Sequence, residues 1–211
     1  MNLLYNLKNN KKNKMSTRNL TLIVIGALIL FLGGCGCKSY NGLVTGDQEV
    51  KKVWSNVETN YQRRTDLYSS VIKTIEGSAN FEKSTLKEVI EARSKATSIT
   101  VDISDEESLK KYQAAQGQLQ GAFSRLMAVA EAYPDLKTTK AFQDFQTQIE
   151  GTENRINVAR QDYNKSVEGY NLQVLRFPNN IFAKMFGFKE KAFYKADAGS
   201  EKAPDVKFDI K

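Results

Sequence analysis

From Leu20 to Leu32 every residue except Thr21 and Gly26 is Ala, Leu, Ile, Val or Phe, and the uncharged stretch runs from Asn19 to Cys37. Nineteen helical residues reach about 28 Å, close to the ~30 Å hydrocarbon core of a bilayer. Beyond it the pattern changes. Apolar residues recur at three and four positions between charged and amide side chains, and proline occurs only at Pro134, Pro178 and Pro204. That spacing predicts long amphipathic helices. The first starts at Asp47 as N-cap and carries Val50, Val53, Trp54, Val57, Tyr61, Tyr68, Val71, Ile72 and Ile75 on one stripe to Gly77.

A second, shorter helix starts at Asn80 or Ser84, uses Leu86, Val89, Ile90 and Ala96, and ends at the β-branched run Thr97 to Val101. Ser104 and Glu107 form a capping box for a third helix through Leu109, Tyr112, Leu119, Phe123, Leu126, Val129 and Ala130. That helix stops at Tyr133-Pro134, because a residue before proline avoids the α region; Asp135 to Thr139 is read as a turn. The fourth helix repeats from Phe142 through Ile149, Ile156, Tyr163 and Tyr170 to Phe177. Short connections make neighbours antiparallel, so the expected fold is all-α, an up-and-down four-helix bundle over residues 46–187 following an N-terminal membrane anchor. The near-heptad spacing leaves a coiled-coil homo-oligomer as the structural competitor.

Residues 1–18 are basic (Lys8, Lys11, Lys12, Lys14, Arg18), and the first cation after the apolar run is Lys38. The positive-inside rule then puts the N-terminus in the cytoplasm and the remainder outside it, in the cell membrane or envelope, whether the start is Met1 or Met15. Residues 19–37 read either as a spanning helix or as a secretion signal. Leu32-Gly33-Gly34-Cys35 resembles a bacterial lipobox, which makes Cys35 the candidate lipid anchor, and three glycines weaken a helix there.

Five of the formal +7 charges precede the anchor, so about +2 remains on the exported part, and no basic stripe with interleaved aromatics argues for nucleic acid. Both cysteines, Cys35 and Cys37, sit at the anchor, so the exported domain holds together by packing alone. The chain has no histidine, which removes the paired Glu-x-x-His ligands of di-metal bundles and the imidazole of the usual nucleophile–base pairs. No catalytic residue, cofactor or metal is expected. Glu150 and Glu153, one turn apart, are a carboxylate pair of a kind common on any solvated helix.

Several blocks resemble the LemA family over nearly the whole chain after the anchor: Tyr40-Asn41-Gly42-Leu43-Val44, Gln62-Arg63-Arg64-Thr65-Asp66-Leu67, and Glu131-Ala132-Tyr133-Pro134-Asp135-Leu136-Lys137. The strongest is Glu150-Gly151-Thr152-Glu153-Asn154-Arg155-Ile156, continuing to Asp162-Tyr163-Asn164, Tyr170-Asn171 and Phe177-Pro178. The resemblance implies a membrane-anchored antiparallel helical bundle facing away from the cytoplasm, and no agreed enzymatic activity. Family members generally span the membrane at this place, so the lipobox-like Cys35 is a departure from the pattern.

Three groups are candidate sites. Arg64 falls between Tyr61 and Tyr68 on the apolar stripe, so it points inward and needs a carboxylate, with Asp162 as the candidate partner. Arg63, Arg64, Asp66, Glu153, Arg155, Arg160 and Asp162 are therefore read as a polar layer that fixes helix register or holds a ligand or partner. The pairs Tyr163-Asn164 and Tyr170-Asn171 lie seven apart on one helix face, as core tyrosines or as a peptide or glycan platform. Finally, Phe182, Lys184, Phe186 and Lys189 belong to a basic aromatic segment that either docks on lipid or closes the lower end of the bundle. The tail 196–211 reads as disordered. The expected role is a non-enzymatic envelope scaffold, touching membrane lipid through its anchor and an envelope protein or polymer through its bundle. The alternatives are an enzyme or accessory acting on envelope polymers, and a protein that binds or shapes the membrane surface through the basic aromatic segment.

Overall fold

The computed structural model describes residues 17–76 and 82–195, apart from the side chains of Thr17, Leu28, Phe31 and Leu32. The basic segment before Thr17, a helix start at Asn80 and the tail 196–211 lie outside the described residues. Those residues are all-α, with no strand among them: α1 (Thr17–Glu76), α2 (Lys83–Thr97), α3 (Glu106–Ala130), the single turn α4 (Pro134–Lys137), α5 (Lys140–Leu175) and α6 (Asn179–Phe186).

The expected start at Asp47 is wrong: α1 is continuous from Thr17 to Glu76, about 90 Å, through Gly33, Gly34 and Gly36. Asp47 does not cap. Its carboxylate instead meets Lys51 Nζ and Lys191 Nζ, each at 2.8 Å. Glycine weakens a helix by about 1 kcal/mol without ending it, and two glycines of α1, Gly36 and Gly46, mark close crossings. A Cβ on Gly46 would lie 2.9 Å from Gln173 Oε1 and 3.0 Å from Tyr170 Cδ2 on α5, and one on Gly36 would lie 3.2 Å from Phe182 Cε1 on α6.

Other boundaries shift by local chemistry. The N-cap of α3 is Asp105, whose side chain accepts from Glu107 N, and not Ser104, whose hydroxyl accepts from Lys191 Nζ at 2.9 Å. Thr139 caps α5 by accepting from Phe142 N, and the expected turn before it contains α4, opened by Pro134. Phe177 lies beyond the end of α5 and is 80% exposed, so it does not extend the stripe.

Contacts set the directions. Along α1, residues 39, 46, 54, 61 and 64 meet residues 179, 173, 163, 160 and 153 in descending order, so α1 and α5 run antiparallel. Lys95 with Gln118 and Glu88 with Arg125 make α2 and α3 antiparallel. Tyr61 with Tyr112, Arg64 with Gln116 and Tyr68 with Phe123 make α1 and α3 parallel.

The interior separates into two clusters. The far one, away from the apolar run, contains Val71, Ile75, Val89, Leu119, Leu126 and Phe142. Each such side chain, fully buried, favours folding by about 1.5–3 kcal/mol. The near one is aromatic: Trp54, Tyr61, Tyr112, Tyr163, Tyr170 and Tyr194. Because α2 reaches only the far cluster, the gap beside the near one is filled by Ile99, Val101 and Ile103 and by an extended strap, residues 188–195. The packed body therefore extends beyond 46–187, to Leu43 at one end and Tyr194 at the other.

Candidate functional site

At the boundary of the two clusters Arg64 is fully buried. Its Nη2 donates to Gln116 Oε1 at 2.7 Å and to the Gln116 carbonyl at 3.2 Å, and its Nη1 donates to Glu153 Oε1 at 3.2 Å. Tyr61 and Tyr68 sandwich the guanidinium, with centroids 4.8 and 5.8 Å from Cζ, and Tyr68 OH also reaches Glu153. The carboxylate is thus Glu153, not Asp162. The antiparallel register explains the change: Tyr61 meets Arg160, so Arg64, further along α1, meets α5 before Arg160 and reaches Glu153, while Asp162 lies on the other side of Arg160.

Of the seven residues read as a polar layer, the structure brings three together. Arg64 and Glu153 pair directly. Arg160 joins through Tyr61, donating from Nε to its hydroxyl at 2.9 Å, and lies 4.5 Å from the Tyr194 ring centroid. Arg63 and Asp66 stand exposed on an outer groove of α1, where Gln62 donates to Asp66. Arg155 and Asp162 are exposed beside a groove between α1 and α5 that Asn56, Asn60 and Asn154 also line. Gln116 and Tyr194 were not anticipated: Gln116 sits on a stripe otherwise apolar, which was the available signal.

The two Tyr-Asn pairs divide the work. Tyr163 and Tyr170 are core, and burial pushes the Tyr170 hydroxyl up to about 12. The asparagines hold the strap. Asn171 donates to the Lys191 carbonyl at 2.9 Å and accepts from its N–H at 2.8 Å; Asn164 does the same for Tyr194, both at 2.8 Å. Seven helical residues rise about 10.5 Å and three extended residues about 10 Å, so the two periods match. Tyr163 OH donates to the Ala192 carbonyl between them.

Lys191 closes the strap onto α1 through Asp47, both side chains being largely buried. Burial pushes the Asp47 carboxyl up, but hydrogen bonds from Lys191 and Lys51 outweigh it and hold the group below the usual carboxylate range.

At the end nearest the apolar run, Phe182 touches Gly36, Phe186 meets Tyr40 edge-on at 5.0 Å, and Ser39 Oγ donates to Asn179 Oδ1 at 2.7 Å. Lys184 and Lys189 are exposed. Cys35 is half-buried, at the rim of a groove of about 890 Å³ between α1 and α5, lined also by Lys38, Gly42, Glu49, Tyr170 and Gln173. Among the described residues no cluster of three or more His, Cys, Asp or Glu is placed to hold a metal ion. Nor is any helix among them long and apolar enough to cross a membrane; the side chains of Leu28, Phe31 and Leu32, inside the apolar run, fall outside that set.

An all-α body with a buried arginine seam, continued by one long helix into an apolar run, defines a helical-bundle class of protein. The chain belongs to the LemA family, which matches residues 53–208. Magnetosome protein MamQ 2 of Paramagnetospirillum magneticum is 27% identical over 175 residues, covering 74% of this chain and 64% of its own. Magnetosome protein MamQ of Magnetospirillum gryphiswaldense is 28% identical over 180 residues, 76% and 66% respectively. Protein LemA of Metamycoplasma hominis is 27% identical over 156 residues, 74% and 68%. The chain thus spans somewhat under two thirds of the length of the first of these relatives.

Proposed function

We propose that this protein is a membrane-anchored, non-enzymatic scaffold or interaction protein of the cell envelope, with Asn19–Cys37 as its anchor and an up-and-down four-helix body held outside the cytoplasm. The observation that carries the reading is the continuity of α1. Leu22, Ile23, Val24 and Ile25, four successive residues and so every side of the helix, are 47–63% exposed, and the same helix continues into the buried core at Leu43. Side chains this apolar on all faces call for a lipid environment. The basic residues before the run support an extracytoplasmic body through the positive-inside bias. Resemblance to magnetosome proteins is compatible with membrane association.

The interaction role rests on what the grooves offer. Among the described residues lining the groove beside Cys35, Glu49 is the only carboxylate, whereas hydrolysis of a glycan calls on two. Exposed amides and paired charges along α1 and α5 suit a surface that meets a protein or polymer. In-cell crosslinking followed by mass spectrometry tests this: a reproducible envelope partner joined to the α1–α5 surface is expected. Recovery of the chain with soluble cytoplasmic proteins alone would refute it. Intact mass of the membrane-extracted chain separates the two anchors, since a start at Cys35 with added acyl mass means lipidation and an uncleaved start means a spanning helix.

A further inference from the structure

Helix α6 carries two apolar faces, and the bundle uses one. Ala183 is 1% exposed within the near core, and Phe182 packs toward α1. Ile181 and Met185, each two residues from Ala183, lie about 160° around the helix from it, and they are 56% and 64% exposed. Phe177, just before the helix, is 80% exposed. The core lies on one side of α6, so this second face points away from the body.

It also points toward the anchor. Asn179, Phe182 and Phe186 meet α1 at Ser39, Gly36 and Tyr40. Over about 10 Å of α6 the contact level on α1 stays within four residues, about 6 Å, and does not progress in one direction. The short helix therefore crosses α1 transversely, level with the end of the apolar run at Cys37. From Tyr170 to Lys189 the chain has no Asp or Glu, while Arg176, Lys184 and Lys189 are exposed.

We propose that α6 is a second membrane contact, an interfacial helix lying flat beside the anchor, with Ile181, Met185 and Phe177 among the lipid headgroups and Lys184 facing anionic phosphates. Transverse orientation, an unused apolar face on the anchor side and uniformly positive charge are the properties of a helix seated in the interface. This rests on the reading of Asn19–Cys37 as the anchor, and it assigns the outward face to residues other than Phe182 and Phe186, which the bundle engages.

The test uses the full chain carrying Met185→Trp, reconstituted in phosphatidylcholine–phosphatidylglycerol vesicles with lipids brominated near the headgroup. Trp54, the only native tryptophan, is buried about 25 Å along α1 from Cys37 and serves as the unquenched reference. Blue-shifted emission from the introduced tryptophan and loss of most of it to the bromines are expected, with the same result for Ile181→Trp. A chain that floats with the vesicles while both introduced tryptophans emit as in water and escape quenching would overturn the proposal and leave the anchor standing. A chain that stays in the aqueous fraction would overturn both. Equal quenching in purely zwitterionic vesicles would remove the anionic-lipid part.

Discussion

The two halves of the body are built from different materials. The far half is aliphatic and alanine-rich, with α2 packed against α3 and cores such as Leu119 and Leu126 fully buried. The near half is aromatic, and where α2 ends a strap of irregular chain takes its place, tied by Asn164, Asn171, Lys191 and Asp47. Apolar packing tolerates volume-conserving change, whereas a buried hydrogen-bonded contact fails when one partner is removed. The half facing the proposed membrane is thus the one with a defined, breakable geometry, and Arg64 marks the seam.

The largest effect is expected at that seam. Arg64→Ala leaves Glu153 and Gln116 without their donor and is expected to cost about 3–5 kcal/mol in urea unfolding. An unchanged midpoint together with lost function in cells would contradict a register role. Next comes the far half alone: Leu126→Ala is expected to cost about 2–5 kcal/mol, equally at pH 7 and pH 4, since no titratable group is involved. Smallest is the acid response of the near half. The folded Asp47 carboxyl lies below its unfolded value of about 3.9, so its contribution is complete above that pH and is lost as pH falls through the folded value. Trp54, in the near core, is expected to report loosening only below about pH 4, and Asp47→Asn to remove that transition. A transition unaltered by the substitution would assign the acid response elsewhere.

Sequence reading served the two halves unequally. The far stripe of Val71, Ile72, Ile75, Leu119 and Leu126 is visible because periodicity encodes a buried helix face directly. The inward turn of Arg64 followed from its place on that stripe, but its partner depended on the register of α1 against α5, which no single helix specifies. The strap has no period of its own. Its backbone is recognised by asparagine amides, so the one trace it leaves is the seven-residue repeat of Asn164 and Asn171 on α5. Likewise Asp47 reads as a cap but lies inside α1, its carboxylate taken by Lys51 and by Lys191, a residue 144 positions away.

Hydrogen exchange on the full chain carrying Asn164→Ala and Asn171→Ala together is the direct test of a polar-tied near half beside an independently packed far half. The amides of Lys191, Ala192 and Tyr194, which donate to Asn171, the Ile103 carbonyl and Asn164, are predicted to lose protection while Leu119 and Leu126 keep theirs. Uniform loss through both halves, or full protection of the strap without its asparagines, would contradict the account.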